Sequence, residues 1–200
     1  YVKEEPKLDK VLAGQTLSIL GDSISTYAGV SDDANLGYST HAAWYKSSNI
    51  SSYGMSGVND TWWMQTINNN NMVLKANNSW GGAFVIDGKN ADGESTDDPQ
   101  NSGMIRAEYL GSSPNIIAVM MGANDIIKAK SDPGTFDAAT YASVGTEITD
   151  STVFLDAYSV MAKRLQKFYP GSNIFLFTIV PASRFSSDAA TLEKYNDVIR

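Results

Sequence analysis

Short apolar runs punctuate the 200-residue chain and predict its strands. The clearest are TLSIL at 16–20, the run within PNIIAVMMGAND at 114–125, and NIFLFTIVP at 173–181. Uninterrupted apolar runs of this length are typical of strands that are buried on both faces. A further strand is predicted within NMVLKANNS at 71–79, where the apolar residues run into a loop.

Apolar residues at helical spacing lie between and after these strands. A helix is predicted over 59–70, with Asn59 or Asp60 as its N-cap and with Trp63 and Ile67 one turn apart. A second helix is predicted over 151–168 and ends at the YPG sequence that follows, because proline and glycine both break helices. Its apolar face comprises Phe154, Tyr158, Met161, Leu165 and Phe168.

The chain closes on DAATLEKYNDVIR, in which Leu192, Tyr195 and Ile199 predict a last amphipathic helix. Buried strands that alternate with helices predict an α/β fold, with a parallel sheet covered on both faces. In such sheets, functional sites form at the carboxyl ends of the strands. The polar sequences GDS (21–23) and GAND (122–125) both fall at such ends.

Composition narrows the class of protein. The length suits one domain, which we expect over 16–200 after an N-terminal extension at 1–15. A net charge of -7 argues against nucleic acid or an anionic membrane as the main partner, and no apolar run has the length of a membrane span. The chain has no cysteine and a single histidine, His41, so neither a metal site nor another cofactor is predicted.

Ser23 and Asn124 carry the candidate chemistry. Each has an ordinary interpretation, since serine and asparagine are common in turns and helix caps. The alternative is a serine nucleophile together with an amide that donates to a developing oxyanion. The pattern G-x-S-x-G of α/β-hydrolases is absent, because position 25 is serine.

Three sequences in order decide between these interpretations: GDSIS (21–25), NNSWGG (77–82) and MGAND (121–125). Together they resemble the SGNH/GDSL hydrolase family over nearly the whole chain from residue 16, and DTWW (60–63) and YN (195–196) also match bacterial esterases of this family. The resemblance implies a three-layer α/β/α, flavodoxin-like fold and acyl transfer.

The resemblance also implies a role for each matching residue. Ser23 would be the nucleophile, and its own N–H, the N–H of Gly82 and the side-chain amide of Asn124 would bind the oxyanion. Gly57 is a weaker match than Gly82 for the second of these donors. Asp125 is expected to shape the turn after the strand.

The sequence departs from the family in its catalytic base. Family members supply a histidine in a C-terminal DxxH block, and residues 1–200 contain no such block. His41 lies in an insertion where the family has no base, so we expect a loop histidine there. We expect the chain to be a fragment that lacks the block; a base from another chain, or a non-catalytic family member, are the alternatives.

The expected substrate is a small acyl ester, with an acetylated carbohydrate first. Asp22, Trp80 and Tyr27 are predicted to line the substrate site, with Asp22 also supporting the loop and Trp80 alternatively packing beneath it. A lipase or lysophospholipase activity, or a carbohydrate- or surface-binding module, are the alternatives. A secreted or cell-surface location is expected, with the cytoplasm as the alternative. The acidic loop at 87–98 fails the EF-hand pattern, so a solvated loop is expected there.

Overall fold

The computed structural model describes residues 11–31, 43–86, 102–129, 131–148, 151–181 and 189–200. Within these ranges, four strands form one parallel sheet in the order β2-β1-β3-β4. The strands are β1 (Thr16–Gly21), β2 (Val73–Ser79), β3 (Ile116–Met120) and β4 (Asn173–Leu176). The helices are α1 (Trp62–Asn70), α2 (Gly103–Arg106), α3 (Ala138–Ser143), α4 (Phe154–Phe168) and α5 (Ala189–Ile199).

Two apolar clusters lie on opposite faces of the sheet, because successive side chains of a strand point to opposite sides. In β1, Leu20 joins the larger cluster, whereas Leu17 and Ile19 join the smaller one. Residues of α2, α4 and α5 complete the larger cluster, and Trp63 and Ile67 of α1 complete the smaller one. The predicted three-layer α/β/α architecture is therefore confirmed.

The strand order brings the carboxyl ends of β1, β2 and β3 together at one edge of the sheet. β1 lies between β2 and β3, so the chain leaves β1 first to one side and then to the other. Gly21 at the end of β1 pairs with Ser79 at the end of β2 and with Met120 at the end of β3. The segments that follow these three strands consequently emerge side by side, at the switch point where parallel sheets place their sites.

The start of α1 differs from the prediction. Thr61 is the N-cap, and its hydroxyl accepts the Met64 N–H at 3.3 Å. Asn59 and Asp60 lie one turn earlier, in a short 3₁₀ turn. There the Asp60 carboxylate bonds the main chain of Ser56 and Gly57, so it is already engaged before the helix begins.

The third apolar run is shorter and more exposed as a strand than predicted. β4 ends at Leu176, and Phe175 and Phe177 are 53% and 40% exposed. The reason is position: β4 is an edge strand in the described sheet, and α1 covers mainly β1 and β3. Phe168 at the end of α4 is also exposed, in contrast to the buried residues of the predicted apolar face. In the described ranges, no helix combines the length and apolar character needed to cross a membrane.

Candidate active site

The turn after β1 presents Ser23 at the sheet edge. Asp22 caps a 3₁₀ turn over Ser23–Ser25, and its buried carboxylate accepts the Ile24 N–H at 3.2 Å. The Ser23 carbonyl accepts the Thr26 hydroxyl at 2.7 Å and the Thr26 N–H at 3.2 Å. Main-chain bonds on both sides thus hold Ser23 in place, while its side chain remains partly accessible. Contact between Asp22 and a substrate stays a prediction.

Gly21 allows this turn to close against the neighbouring strand. A Cβ at Gly21 would lie 2.6 Å from the Ser25 Cβ and 2.7 Å from the Ser79 Oγ. Contacts this short do not occur between real side chains, so any larger residue would push the turn away from β2. The glycine in the GDS sequence is required by the close approach of the backbone to its neighbours.

The segment after β2 carries Gly82 to the same edge. The Trp80 N–H donates to the Gly21 carbonyl at 3.1 Å, and the Ala83 N–H donates to the Trp80 carbonyl at 3.2 Å to close a tight turn. Gly82 has a φ of +81°, a left-handed conformation that other residues rarely adopt. Gly57, the weaker match for the same oxyanion donor, instead lies before α1 with an extended φ of -178°.

Asn124 and Asp125, after β3, clamp the segment that carries Gly82. Asn124 is 7% exposed, and its amide nitrogen donates to the Ala83 carbonyl at 2.9 Å. The fully buried Asp125 carboxylate accepts the N–H groups of Val85 at 3.0 Å and Ile86 at 3.1 Å. Asp125 therefore bonds a different segment of chain, a tie that its place beside Asn124 in the sequence did not indicate.

Burial dominates the electrostatics of this clamp. Removal from water raises the pKa of Asp125 to about 7, with the Val85 and Ile86 N–H groups acting in the opposite direction and the nearby Asp22 charge adding to the rise. Because the pKa of Asp125 is about 7, the bonds that join the segment after β3 to the segment after Gly82 should be sensitive to pH.

Arg106 is a functional candidate that sequence reasoning missed. Its side chain is completely buried beneath the site, where the guanidinium donates to the Gly21 carbonyl at 3.2 Å and to the Asn78 carbonyl. It also lies over the Trp80 ring, 5.5 Å from the ring centroid. The sequence offered one sign of this role, the arginine inside the otherwise apolar sequence GMIRA (103–107). Local pattern alone would place such an arginine on the solvent-exposed surface of a helix, because arginine is rarely buried.

The other predicted residues occupy varied positions. Trp80 is 1% exposed and packs in the larger apolar cluster, so its ring lies beneath the site and presents no open face. Tyr27 is half-buried and packs against the smaller cluster. Their roles in substrate binding stay predictions. His41 and the acidic loop at 87–98 lie outside the described residues.

One family model and several solved structures match this chain. A family model described as GDSL-like lipase/acylhydrolase matches residues 15–189. A solved structure designated a GDSL-like lipase from Bacteroides ovatus superposes with a TM-score of 0.68 at 26% identity, over 92% of this chain and 83% of that one. A second solved structure, a GDSL-like lipase from Bacteroides uniformis, superposes with a TM-score of 0.64 at 23% identity, over 92% of this chain and 80% of that one. At this identity the likeness shows the fold alone. No curated protein matches the chain.

Proposed function

The chain belongs to the GDSL-like lipase/acylhydrolase family, and we propose that it hydrolyses small acyl esters with Ser23 as the nucleophile. Family membership supports a hydrolase of ester substrates. One observation carries the proposal further. The segments bearing Ser23, Gly82 and Asn124 leave three adjacent strands at a single edge of the sheet, where Gly21 at the end of β1 pairs with the last residues of both β2 and β3.

The proposed oxyanion site comprises the N–H groups of Ser23 and Gly82 and the side-chain amide of Asn124. An amide nitrogen carries two hydrogens; one of these bonds Ala83, and the proposal assigns the other to the oxyanion. All three donors are neutral and held by the surrounding main chain. Such preorganised donors stabilise the negative charge without having to reorient as it develops.

In the proposed reaction, the Ser23 oxygen attacks the ester carbonyl and forms a tetrahedral oxyanion. The intermediate expels the alcohol, which takes up a proton, and leaves an acyl group on Ser23. Water then attacks this acyl-enzyme through a second oxyanion, releasing the carboxylic acid and restoring the serine hydroxyl. The same donors stabilise both intermediates, because the charge develops on the same carbonyl oxygen each time.

A base must accept the Ser23 proton during the attack. The described ranges contain no histidine, since His41, the single histidine of the sequence, lies outside them. The proposal assigns the base to a histidine of a DxxH block, as the family resemblance implies. His41→Asn in the full-length protein checks this assignment: retained hydrolysis supports it, and loss of hydrolysis transfers the role to His41.

Among acyl esters, an acetylated carbohydrate is the proposed substrate. A long acyl chain requires a continuous apolar channel, whereas Trp80 and Phe84, the two large aromatics nearest to Gly82 in sequence, are packed inside the core. Hydrolysis of p-nitrophenyl acetate and p-nitrophenyl decanoate by the same preparation measures the preference. A higher kcat/KM for the acetate supports the proposal, and a higher value for the decanoate supports a lipase instead.

The nucleophile is tested directly with Ser23→Ala in the full-length protein. Hydrolysis of p-nitrophenyl acetate should fall by about 10⁴-fold or more, and labelling of Ser23 by a fluorophosphonate, read by mass spectrometry, should disappear. Ser112→Ala is the matched control, because this exposed serine precedes β3 at the opposite edge of the sheet. Unchanged hydrolysis in Ser23→Ala would refute the proposal.

A further inference from the structure

Three aromatic side chains form a surface patch beside the turn that carries Ser23. Trp44 and Tyr53 are 50% and 46% exposed, and Tyr45 is half-buried. The Trp44 and Tyr53 ring centroids lie 6.2 Å apart, and those of Tyr45 and Tyr53 lie 5.2 Å apart. We call Trp44, Tyr45 and Tyr53 the aromatic patch.

Hydrogen bonds connect the aromatic patch to the Ser23 turn. The Trp44 N–H donates to the Thr26 hydroxyl oxygen at 2.8 Å, and the same hydroxyl donates to the Ser23 carbonyl at 2.7 Å. A second link runs from the Ala28 N–H to the Tyr45 carbonyl at 2.9 Å. One hydroxyl group therefore bridges the nucleophile's main chain and the main chain of the patch, which places the patch at the border of the proposed active site.

The patch is also held from its other side. The Asn49 side chain donates to the Trp44 carbonyl at 2.8 Å and accepts the Lys46 N–H at 2.8 Å. Tyr53 ends a 3₁₀ turn, Ile50–Tyr53, that the buried Ile50 anchors. Because the main chain on both sides is fixed, a ligand would meet a surface that loses little freedom on binding.

The chemistry of this surface favours a hydroxyl-rich neutral ligand. Exposed tryptophan and tyrosine offer flat apolar faces with polar edges, which match the C–H face and the hydroxyl rim of a sugar ring. The rings are mutually tilted, by 53° for Trp44 and Tyr53, so they form a broken surface and no continuous channel for an alkyl chain. Four exposed serines lie in the sequence between Tyr45 and Tyr53: Ser47, Ser48, Ser51 and Ser52.

We propose that the aromatic patch binds the saccharide part of an acylated, uncharged carbohydrate and presents its ester to Ser23. The presentation of the ester rests on the proposed function, whereas saccharide binding by the patch does not. Ring stacking would hold the sugar, and the fixed link through Thr26 would set its position relative to the nucleophile. The net charge of -7 agrees with an uncharged saccharide, because it disfavours polyanionic ligands.

Saccharide binding is measured first, in the Ser23→Ala form of the full-length protein, where no turnover interferes. The probes are unacetylated β-linked hexasaccharides of xylose, glucose and mannose, titrated by calorimetry. At least one should bind, and adding Trp44→Ala or Tyr53→Ala should weaken its Kd by about tenfold or more. Failure of all three probes to bind at millimolar concentration, or binding that neither substitution weakens, would overturn the proposal.

Kinetics provide the second test. For Trp44→Ala, the ratio of kcat/KM on the O-acetylated hexasaccharide to kcat/KM on p-nitrophenyl acetate should fall by about tenfold. Phe168→Ala is the matched control, because this exposed aromatic ends α4 at the edge opposite Ser23 and should leave the ratio unchanged. If Trp44→Ala instead lowers only p-nitrophenyl decanoate hydrolysis, the patch binds acyl chains and the saccharide assignment is wrong.

The two proposals fail in different ways. If Ser23→Ala retains esterase activity but its saccharide binding depends on Trp44, the nucleophile is wrong and the patch stands. If Ser23→Ala abolishes hydrolysis while Trp44→Ala changes neither Kd nor the kinetic ratio, the esterase stands and the patch assignment is overturned.

Discussion

The side-chain amide of Asn124 donates a hydrogen bond to the carbonyl of Ala83 at 2.9 Å, joining the segment after β3 to the segment that carries Gly82. Two of the three proposed oxyanion donors are thus parts of one bonded unit. Gly21 joins the third to it, because its carbonyl accepts the N–H of Trp80 at 3.1 Å. The geometry of the proposed site depends on these few bonds between segments that are distant in sequence.

Asn124→Ala should lower kcat on p-nitrophenyl acetate by about 10²–10³-fold, with a much smaller change in KM, because the lost donor acts on the oxyanion more than on the ground state. The measurement is steady-state kinetics, with thermal unfolding to verify the fold. Asn68→Ala, on the exposed surface of α1, should behave as the unsubstituted protein. Equal rates in Asn124→Ala and Asn68→Ala would remove Asn124 from the oxyanion site.

Gly82→Ala should destabilise the protein by about 1–2 kcal/mol, because alanine disfavours the left-handed φ of +81°. The new methyl group would also meet the Lys128 Nζ at 3.2 Å, but this flexible side chain can move away. Activity should fall as the Gly82 N–H changes direction. Denaturant unfolding and p-nitrophenyl acetate hydrolysis measure the two effects.

Gly57→Ala is the matched comparison for that substitution, because Gly57 has an extended φ and no atom within 4 Å of an added Cβ. Gly57→Ala should change the free energy of unfolding by less than about 0.5 kcal/mol and should retain activity. If Gly57→Ala lowers activity while Gly82→Ala does not, the second oxyanion donor belongs to Gly57.

The buried Asp125 predicts a pH dependence of stability. Burial raises its pKa to about 7, so the folded state holds this proton more tightly than the unfolded state. The stabilisation from the protonated form is complete at pH values below the pKa of Asp125 in the unfolded state, and it is lost as pH rises toward about 7. The free energy of unfolding should fall over this range by an amount on the order of 1–4 kcal/mol. Urea unfolding from pH 4 to pH 8 should show this fall.

Asp125→Asn should flatten that pH profile, since the amide does not titrate yet keeps an oxygen for the Val85 and Ile86 N–H groups. The difference in unfolding free energy between Asp125→Asn and the unsubstituted protein should grow as pH rises from about 4 to about 7 and level off above that value. A difference that is constant from pH 4 to pH 8 would contradict the raised pKa of Asp125.

Arg106→Met should destabilise the protein by about 1–3 kcal/mol, because the Gly21 and Asn78 carbonyls lose a buried charged donor. Activity should fall as well, since these carbonyls lie at the strand ends beneath the proposed site. Arg200→Met, which removes only exposed ion pairs, should change stability far less than Arg106→Met does. Equal stability of the two variants would show that Arg106 does not hold the strand ends.

Much of this architecture follows from local pattern. The apolar runs at 16–20 and 114–125 predicted β1 and β3, and helical spacing predicted α1, α4 and α5, because both depend on which face of an element is apolar. The parallel order of the sheet followed from the alternation of strands and helices. These features predicted that the GDS and GAND sequences lie at the same edge of the sheet, and the pairing of Gly21 with Met120 confirms it.

The sequence by itself thus determined the fold class and the sheet edge on which Ser23 and Asn124 lie, since periodicity and strand ends are local properties. Only the tertiary structure decided that Trp80 is buried, that Arg106 holds two strand ends, that Asp125 clamps the segment after Gly82, and that Phe175 is exposed. These outcomes depend on contacts between segments far apart in the chain, and burial in turn sets the pKa and the exposed surface of each residue.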